Sequence, residues 1–197
     1  MAIVSALIRA KSYLILPSNS GIVDKVNNAE APATREFQRK FRDYLDVKKV
    51  PDSFDSVSVE DLGNDYIKVT LDHSIIKRLR NGYELSSETE GYEGFYYVES
   101  LDADNDTIII QAEYVEGVTI TFDNEELQIF NDALGWYICA FTTFTLQELK
   151  INNVMITASQ IGEGSMNAYD VSSIDTFRNK LKENGDKILL SKYFPAP

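Results

Sequence analysis

One histidine, His73, and one cysteine, Cys139, stand in a chain of 197 residues. That scarcity excludes a great deal. A Ser-His-Asp or Cys-His site would have to be built on His73, and the usual zinc sites, which draw four ligands largely from Cys and His, cannot be assembled. A lone cysteine also excludes an intrachain disulfide framework. Basic residues are few: 19 Lys and Arg face 31 Asp and Glu, for a formal net charge of −12 at pH 7. Such a surface repels a phosphate backbone, so no direct contact with nucleic acid is expected. It suits high solubility or a basic protein partner.

Long apolar runs are missing too. The most apolar stretch, Ala133 to Phe141, has nine residues, far short of a bilayer span. The opening segment MAIVSALIRAKSYLIL has no basic start and is interrupted by Arg9 and Lys11, the reverse of an export signal. The expected location is the cytoplasm, or a particle assembled there, with no membrane contact.

What is present is bulk. Eleven Tyr, ten Phe and one Trp, within a hydrophobic fraction of 44%, supply a core for one domain, with or without an attached arm. The periodicities predict an α+β chain: an N-terminal arm and amphipathic helix over 1–50, then a body over 51–197 that is β-rich in 57–122 and helical in 123–197. An antiparallel β-meander is expected to pack against a long helix, with a final C-terminal helix.

In the first part, Ile3, Val4, Leu7 and Ile8 recur at helical spacing. Pro17 to Ala33, rich in Ser, Asn, Gly, Ala and Pro, reads as a loop. A second helix is expected from Thr34, a good N-cap, to about Val47, with Phe37, Phe41, Tyr44 and Leu45 on one face. Arg35, Arg39, Lys40 and Arg42 lie largely off that face, with Lys48 and Lys49 following. This cluster is either a solvated helix face or a contact for the acidic body of a neighbouring copy.

The middle part is read as strands. Tyr66 to Leu71 alternates, with Ile67, Val69 and Leu71 on one face. A short helix over Ser74 to Asn81 should end at Gly82. Phe95 to Leu101 and Thr107 to Val115 read as strands around the turn Asp102–Asp106, and Val118 to Phe122 as a third. Between Gly82 and Gly94, Glu84, Glu88, Glu90 and Glu93 suggest an exposed acidic loop.

The best-marked element is the run Asp123 to Lys150. Asp123 is a possible cap, with Glu126 completing the form of a capping box. Phe130, Leu134, Tyr137, Phe141 and Phe144 make a core stripe, and Leu127, Trp136, Ile138 and Cys139 widen it. A helix apolar nearly all round needs cover on more than one side, from its own chain or from a neighbour. Beyond it, Ile151 to Ser159 reads as extended, Ile161 to Ser165 as a loop, and a last helix begins near Ser172, striped by Ile174, Phe177, Leu181 and Ile188 with a possible break at Gly185.

No motif supplies chemistry. His73 sits at a strand-to-helix junction where Asp72 and Ser74 explain themselves as caps, without a nucleophile motif. Cys139, in the most apolar part of the long helix, reads as core. Asp102, Asp104 and Asp106 alternate as in a calcium loop, with Glu113 at the twelfth position, but Thr107 stands where that loop needs Gly. A polar hairpin turn is the better account, and these three carboxylates are the candidates for a cation. Gly162-Glu163-Gly164 lacks the lysine and spacing of a phosphate loop. No cofactor is expected.

The pattern of Phe130 to Leu149, Val154 to Ser165 and Ile174 to Tyr193 is an apolar helix, a short Gly-bearing extended segment and a final helix with aromatic anchors. It resembles the C-terminal half of phage head–tail connector (adaptor) proteins. That resemblance implies a non-enzymatic, ring-forming virion subunit without a cofactor, whose partners are copies of itself and other structural proteins. The interface candidates are Ile3, Leu7 and Ile8, Arg35, Arg39 and Arg42, Trp136, and Phe194. Two other classes stay open: a small-ligand or calcium-binding module, including an enzyme built on carboxylates, and an acidic inhibitor or immunity protein that binds a basic enzyme.

Overall fold

A computed structural model describes residues 5–15, 20–142, 155–156 and 171–193. The described residues form an α+β chain with antiparallel sheets, a long helix and a C-terminal helix. They fall into two compact units, one over 43–128 and one that joins 5–42 to the residues from 129 onward. No helix among the described residues is long and apolar enough to cross a membrane.

The first unit holds two four-stranded antiparallel sheets. One has the order β3-β4-β8-β7: β3 is Ser58–Gly63, β4 Tyr66–Thr70, β7 Ser100–Asp102 and β8 Thr107–Gln111. The alternation read from the sequence places Ile67 and Val69 opposite Ile110 and Ile108, and all four are fully buried. The other sheet has the order β2-β9-β5-β6, with β2 Ser53–Asp55, β5 Glu84–Ser87, β6 Gly94–Tyr97 and β9 Thr121–Asp123.

The segment 95–101, expected as one strand, is two. The chain leaves the second sheet after Tyr97 and enters the first at Ser100. At the crossing, the Val98 amide donates to the Tyr83 carbonyl and the Glu99 amide to the Ile109 carbonyl. The same change of sheet occurs between β2 and β3, where Ser56 N donates to Ile120 O and Val57 N to Thr70 O. Extended backbone that switches sheets keeps its periodicity, so the sequence does not mark the corner. β7 and β8 make the expected hairpin, whereas the third expected strand appears as β9 and pairs with β2 and β5 instead. The expected acidic loop begins with β5, because Tyr83, Leu85 and Ser87 alternate inward. The short helix α4 covers only His73–Ile76, capped by Asp72, whose carboxylate accepts the Ser74 amide at 2.8 Å.

The second unit contains α1 (Ala6–Tyr13), α2 (Ser20–Lys40), most of α5 (Glu125–Phe141), α6 (Val171–Tyr193), and β1 (Leu14–Ile15) paired with β10 (Met155–Ile156). The expected loop Pro17–Ala33 is overturned, since α2 runs from Ser20 with Pro32 inside it. Val26, Ala29, Ala33 and Phe37 follow helical spacing and are all buried. Packing of that stripe outweighs the poor propensity of its Ser, Asn and Pro residues. The helix expected from Thr34 to Val47 is divided: α2 stops at Lys40, and α3, Tyr44–Val47, belongs to the other unit.

The first helix turns a different face inward than expected. Ala6, Ala10 and Leu14 are buried, whereas Leu7 is half-buried and Ile8 is 59% exposed. The reason is close packing on α5. A Cβ at Gly135 would lie 3.0 Å from Tyr13 Cε2 and 3.3 Å from the Ala10 nitrogen. Small residues face small residues, and the bulky ones are turned out.

On α5 every residue from Ala133 to Ala140 is buried. Phe37 meets Tyr137 and Phe130 edge-on, at centroid distances of 5.1 and 6.3 Å. Tyr13 stacks on Trp136 at 4.3 Å. From α6, Gly185 comes so close that a Cβ there would stand 2.7 Å from the Ala133 carbonyl oxygen. Gly185 therefore marks a close approach within an unbroken helix, not a break. Tyr137 donates to Asp186 at 2.6 Å, and Lys40 pairs with the same carboxylate at 2.5 Å. The width of the apolar helix is thus covered by α1, α2 and α6 of its own chain. The cap also differs from expectation. Asp123 ends β9, and Asn124 caps α5 by accepting the Leu127 amide at 3.1 Å.

Candidate functional site

Of the residues singled out from the sequence for chemistry, His73, Asp102, Asp106 and Cys139 take part in local structure. His73 is exposed, with Nδ1 2.6 Å from Asp106 Oδ1. Asp106 has φ +55, which closes the β7–β8 turn. Asp102 accepts the amides of Asp104 and Asn105 at 3.1 and 3.2 Å and the Asn105 side chain at 2.7 Å. Hydrogen bonds from the Asn105 side chain, then its backbone, hold the Asp102 carboxyl below its ordinary value. The turn is a hairpin turn built on an Asx motif. No group of three or more His, Cys, Asp or Glu side chains able to hold a metal ion occurs among the described residues. Cys139 is buried, and burial raises its thiol well above the ordinary value, so it is not a poised nucleophile.

The interface candidates separate. Ile8, Arg35, Arg39 and Arg42 are exposed and Leu7 is half-buried. Trp136, 6% exposed and stacked on Tyr13, is part of the core and unavailable for contact. Ile3 and Phe194 lie outside the described residues, as do Phe144, Val154 and the segment Ile161–Ser165.

Two surface features of the first unit were not read from the sequence. The first is an aromatic edge. β6 is the last strand of its sheet, and Phe95 and Tyr97 stand on its outer face, 74% and 54% exposed. The sequence signal was the run Gly-Phe-Tyr-Tyr, whose alternation sends Tyr96 inward, where it meets Phe122 edge-on at 6.2 Å. What the alternation cannot say is that no further strand among the described residues covers the other face.

The second is a groove of about 490 Å³ lined by Asp43, Asp46, Lys49, Lys77, Arg78 and Arg80. Four cations face two carboxylates in a chain that is otherwise strongly acidic. The groove lies over a firm floor. Tyr44, Val47 and Val50 on one side and Ile75, Ile76 and Leu79 on the other are buried. Asn124, itself buried, donates to the Val47 and Val50 carbonyls at 3.3 and 3.2 Å and accepts the Tyr83 hydroxyl at 2.8 Å. Arg78 donates to the Lys49 carbonyl, and so ties the two walls together. Arg80 pairs with the buried Glu126 and lies over the Tyr83 ring, 5.3 Å from its centroid. Burial, and then the neighbouring Glu126 charge, raise the Tyr83 phenol above its ordinary value.

Lys49 pairs with Asp46 at 2.7 Å on open surface, a contact of little energy. The signal for this site was the run Lys77-Arg78-Leu79-Arg80, with one apolar anchor between the cations. Its convergence with Lys49 is tertiary and has no local mark. No protein-family model, curated protein or solved structure matches the chain.

Proposed function

We propose that this chain is a non-enzymatic structural subunit that works as a homo-oligomer, of the kind that forms the neck, or head–tail connector, of a phage particle. The observation that carries the reading is the aromatic edge. Phe95 and Tyr97 are large apolar side chains on an edge strand, and soluble chains usually blunt such edges with charge, proline or a covering element. Exposed aromatics of this kind are characteristic of protein–protein contacts. The sequence resemblance to connector proteins supplies the kind of assembly, and the excess of acidic residues keeps such a subunit soluble before assembly.

Light scattering over a concentration series tests it. The expected result is a mass several times that of one chain, shifted toward the monomer by the double substitution Phe95→Ser with Tyr97→Ser. A single-chain mass at every concentration would overturn the reading.

A further inference from the structure

We infer that the basic groove receives an acidic lobe of a second copy of this chain, giving a head-to-tail contact. The inference rests on the proposal that the chain self-associates, and it names the surfaces that do so.

The lobe comes from two loops distant in sequence. One joins β5 to β6 and carries Glu90 and Glu93. The other joins β8 to β9 and carries Glu113 and Glu116. All four are exposed. The loops are tied by a reciprocal pair: Val115 N donates to the Tyr92 hydroxyl at 2.8 Å, and that hydroxyl donates to Val115 O at 3.4 Å. Tyr92 is buried, and Thr121 N donates to Thr89 Oγ1 at 3.0 Å. The negative charges are therefore presented on a fixed platform.

Strand register separates the lobe from the groove. Arg80 lies over Tyr83, at the base of the β5–β6 hairpin, where Glu84 pairs with Tyr97. The last pair toward the lobe is Ser87 with Gly94. Four residues of strand span about 13 Å, more than the Debye length of about 8 Å at physiological salt. The two ends consequently do not neutralise each other within one copy. Each end finds its complement on the next copy. Such a contact joins two different patches, which makes it heterologous, and it generates a ring if the rotation closes.

Lys49 and Lys77 provide the cleanest handle on the groove, because Arg78 and Arg80 also hold the fold together. The double variant Lys49→Glu with Lys77→Glu inverts the sign of the groove. The triple variant Glu90→Lys, Glu113→Lys and Glu116→Lys inverts the lobe. Circular dichroism and thermal melting establish that both fold, and neutral Gln versions serve where a reversal does not.

Sedimentation velocity is then run on the wild type, on each variant alone, and on an equimolar mixture. Like charges across an interface oppose association, so each variant alone should associate at least about tenfold more weakly. The mixture should regain the wild-type species, since each inverted surface now meets its complement. A wild type that associates while the groove variant does so equally well overturns this inference and leaves self-association standing. Association lost in the groove variant but kept in the lobe variant puts some other acidic surface in the groove and also overturns it. A wild type that stays single overturns both readings.

Discussion

Asn124 is the residue on which the first unit turns. Its side chain accepts from Tyr83 and from the Leu127 amide, and donates to the carbonyls of Val47 and Val50. It caps α5 and holds the floor of the groove at once. Truncation to alanine would take a hydrogen-bond partner from the buried Tyr83 hydroxyl, the Leu127 amide and the Val47 and Val50 carbonyls, of which Val47 keeps the Val50 amide. A cost of about 2–4 kcal/mol is expected, from the loss of a cap together with buried unsatisfied groups. Urea denaturation of Asn124→Ala measures it, and a loss no larger than that of an ordinary surface substitution would refute the role.

Three tyrosines make stability depend on alkaline pH. Burial first, then Asp132 for Tyr13, Glu126 for Tyr83 and Asp186 for Tyr137, raises these phenols above the ordinary value of 10.0. The folded state keeps its protons where the unfolded state loses them. Their stabilisation is whole below pH 10 and declines as pH rises from there toward the raised values, by up to about 1.4 kcal/mol per pH unit for each group. Spectroscopic titration should find these tyrosines ionising only with unfolding. Smooth titration of all eleven tyrosines in a folded protein would contradict it.

Among the elements, those whose local pattern and packing agree were legible. β4 and β8 alternate as their burial does, and α5 shows its stripe. α2 was hidden because its composition is that of a loop, and only the buried spacing of Val26, Ala29, Ala33 and Phe37 makes it helical. The sheet corners at Ser56 and Val98 leave no local trace, since the backbone stays extended through them. Gly185, read as a possible break, is a point of contact, as is Gly135. The groove needed Lys49 and the run from Lys77 to Arg80 brought together, which only the tertiary fold supplies.

Gly185 allows a direct test of how closely α6 approaches α5. Alanine there gains about 1 kcal/mol of helix propensity, but its Cβ would press on the Ala133 carbonyl oxygen. Overpacking of this kind costs about 1–3 kcal/mol. Denaturant titration of Gly185→Ala should show a net loss, and a stabilised protein would mean that α6 does not approach α5 so closely.

The broad apolar helix α5 is covered from within, by α1, α2 and α6. Among the described residues of the first unit, the aromatic edge of β6 and the opposed charges at the two ends of β5 are exposed. Both belong to the first unit; Lys49 and the acidic residues Glu90 and Glu93 were read from the sequence, whereas the groove that Lys49 joins and the aromatic edge were not. The exposed Arg35 and Arg39 of α2 add positive surface. The proposed self-association would run through these surfaces, as a polar, directional contact with an aromatic margin. Salt should weaken it, since screening at about 1 M shortens the Debye length to about 3 Å.

Negative-stain electron microscopy of the purified protein at low salt is the decisive experiment for self-association. It should show closed rings of uniform size that come apart as salt is raised. Single chains at every concentration and every salt would contradict it.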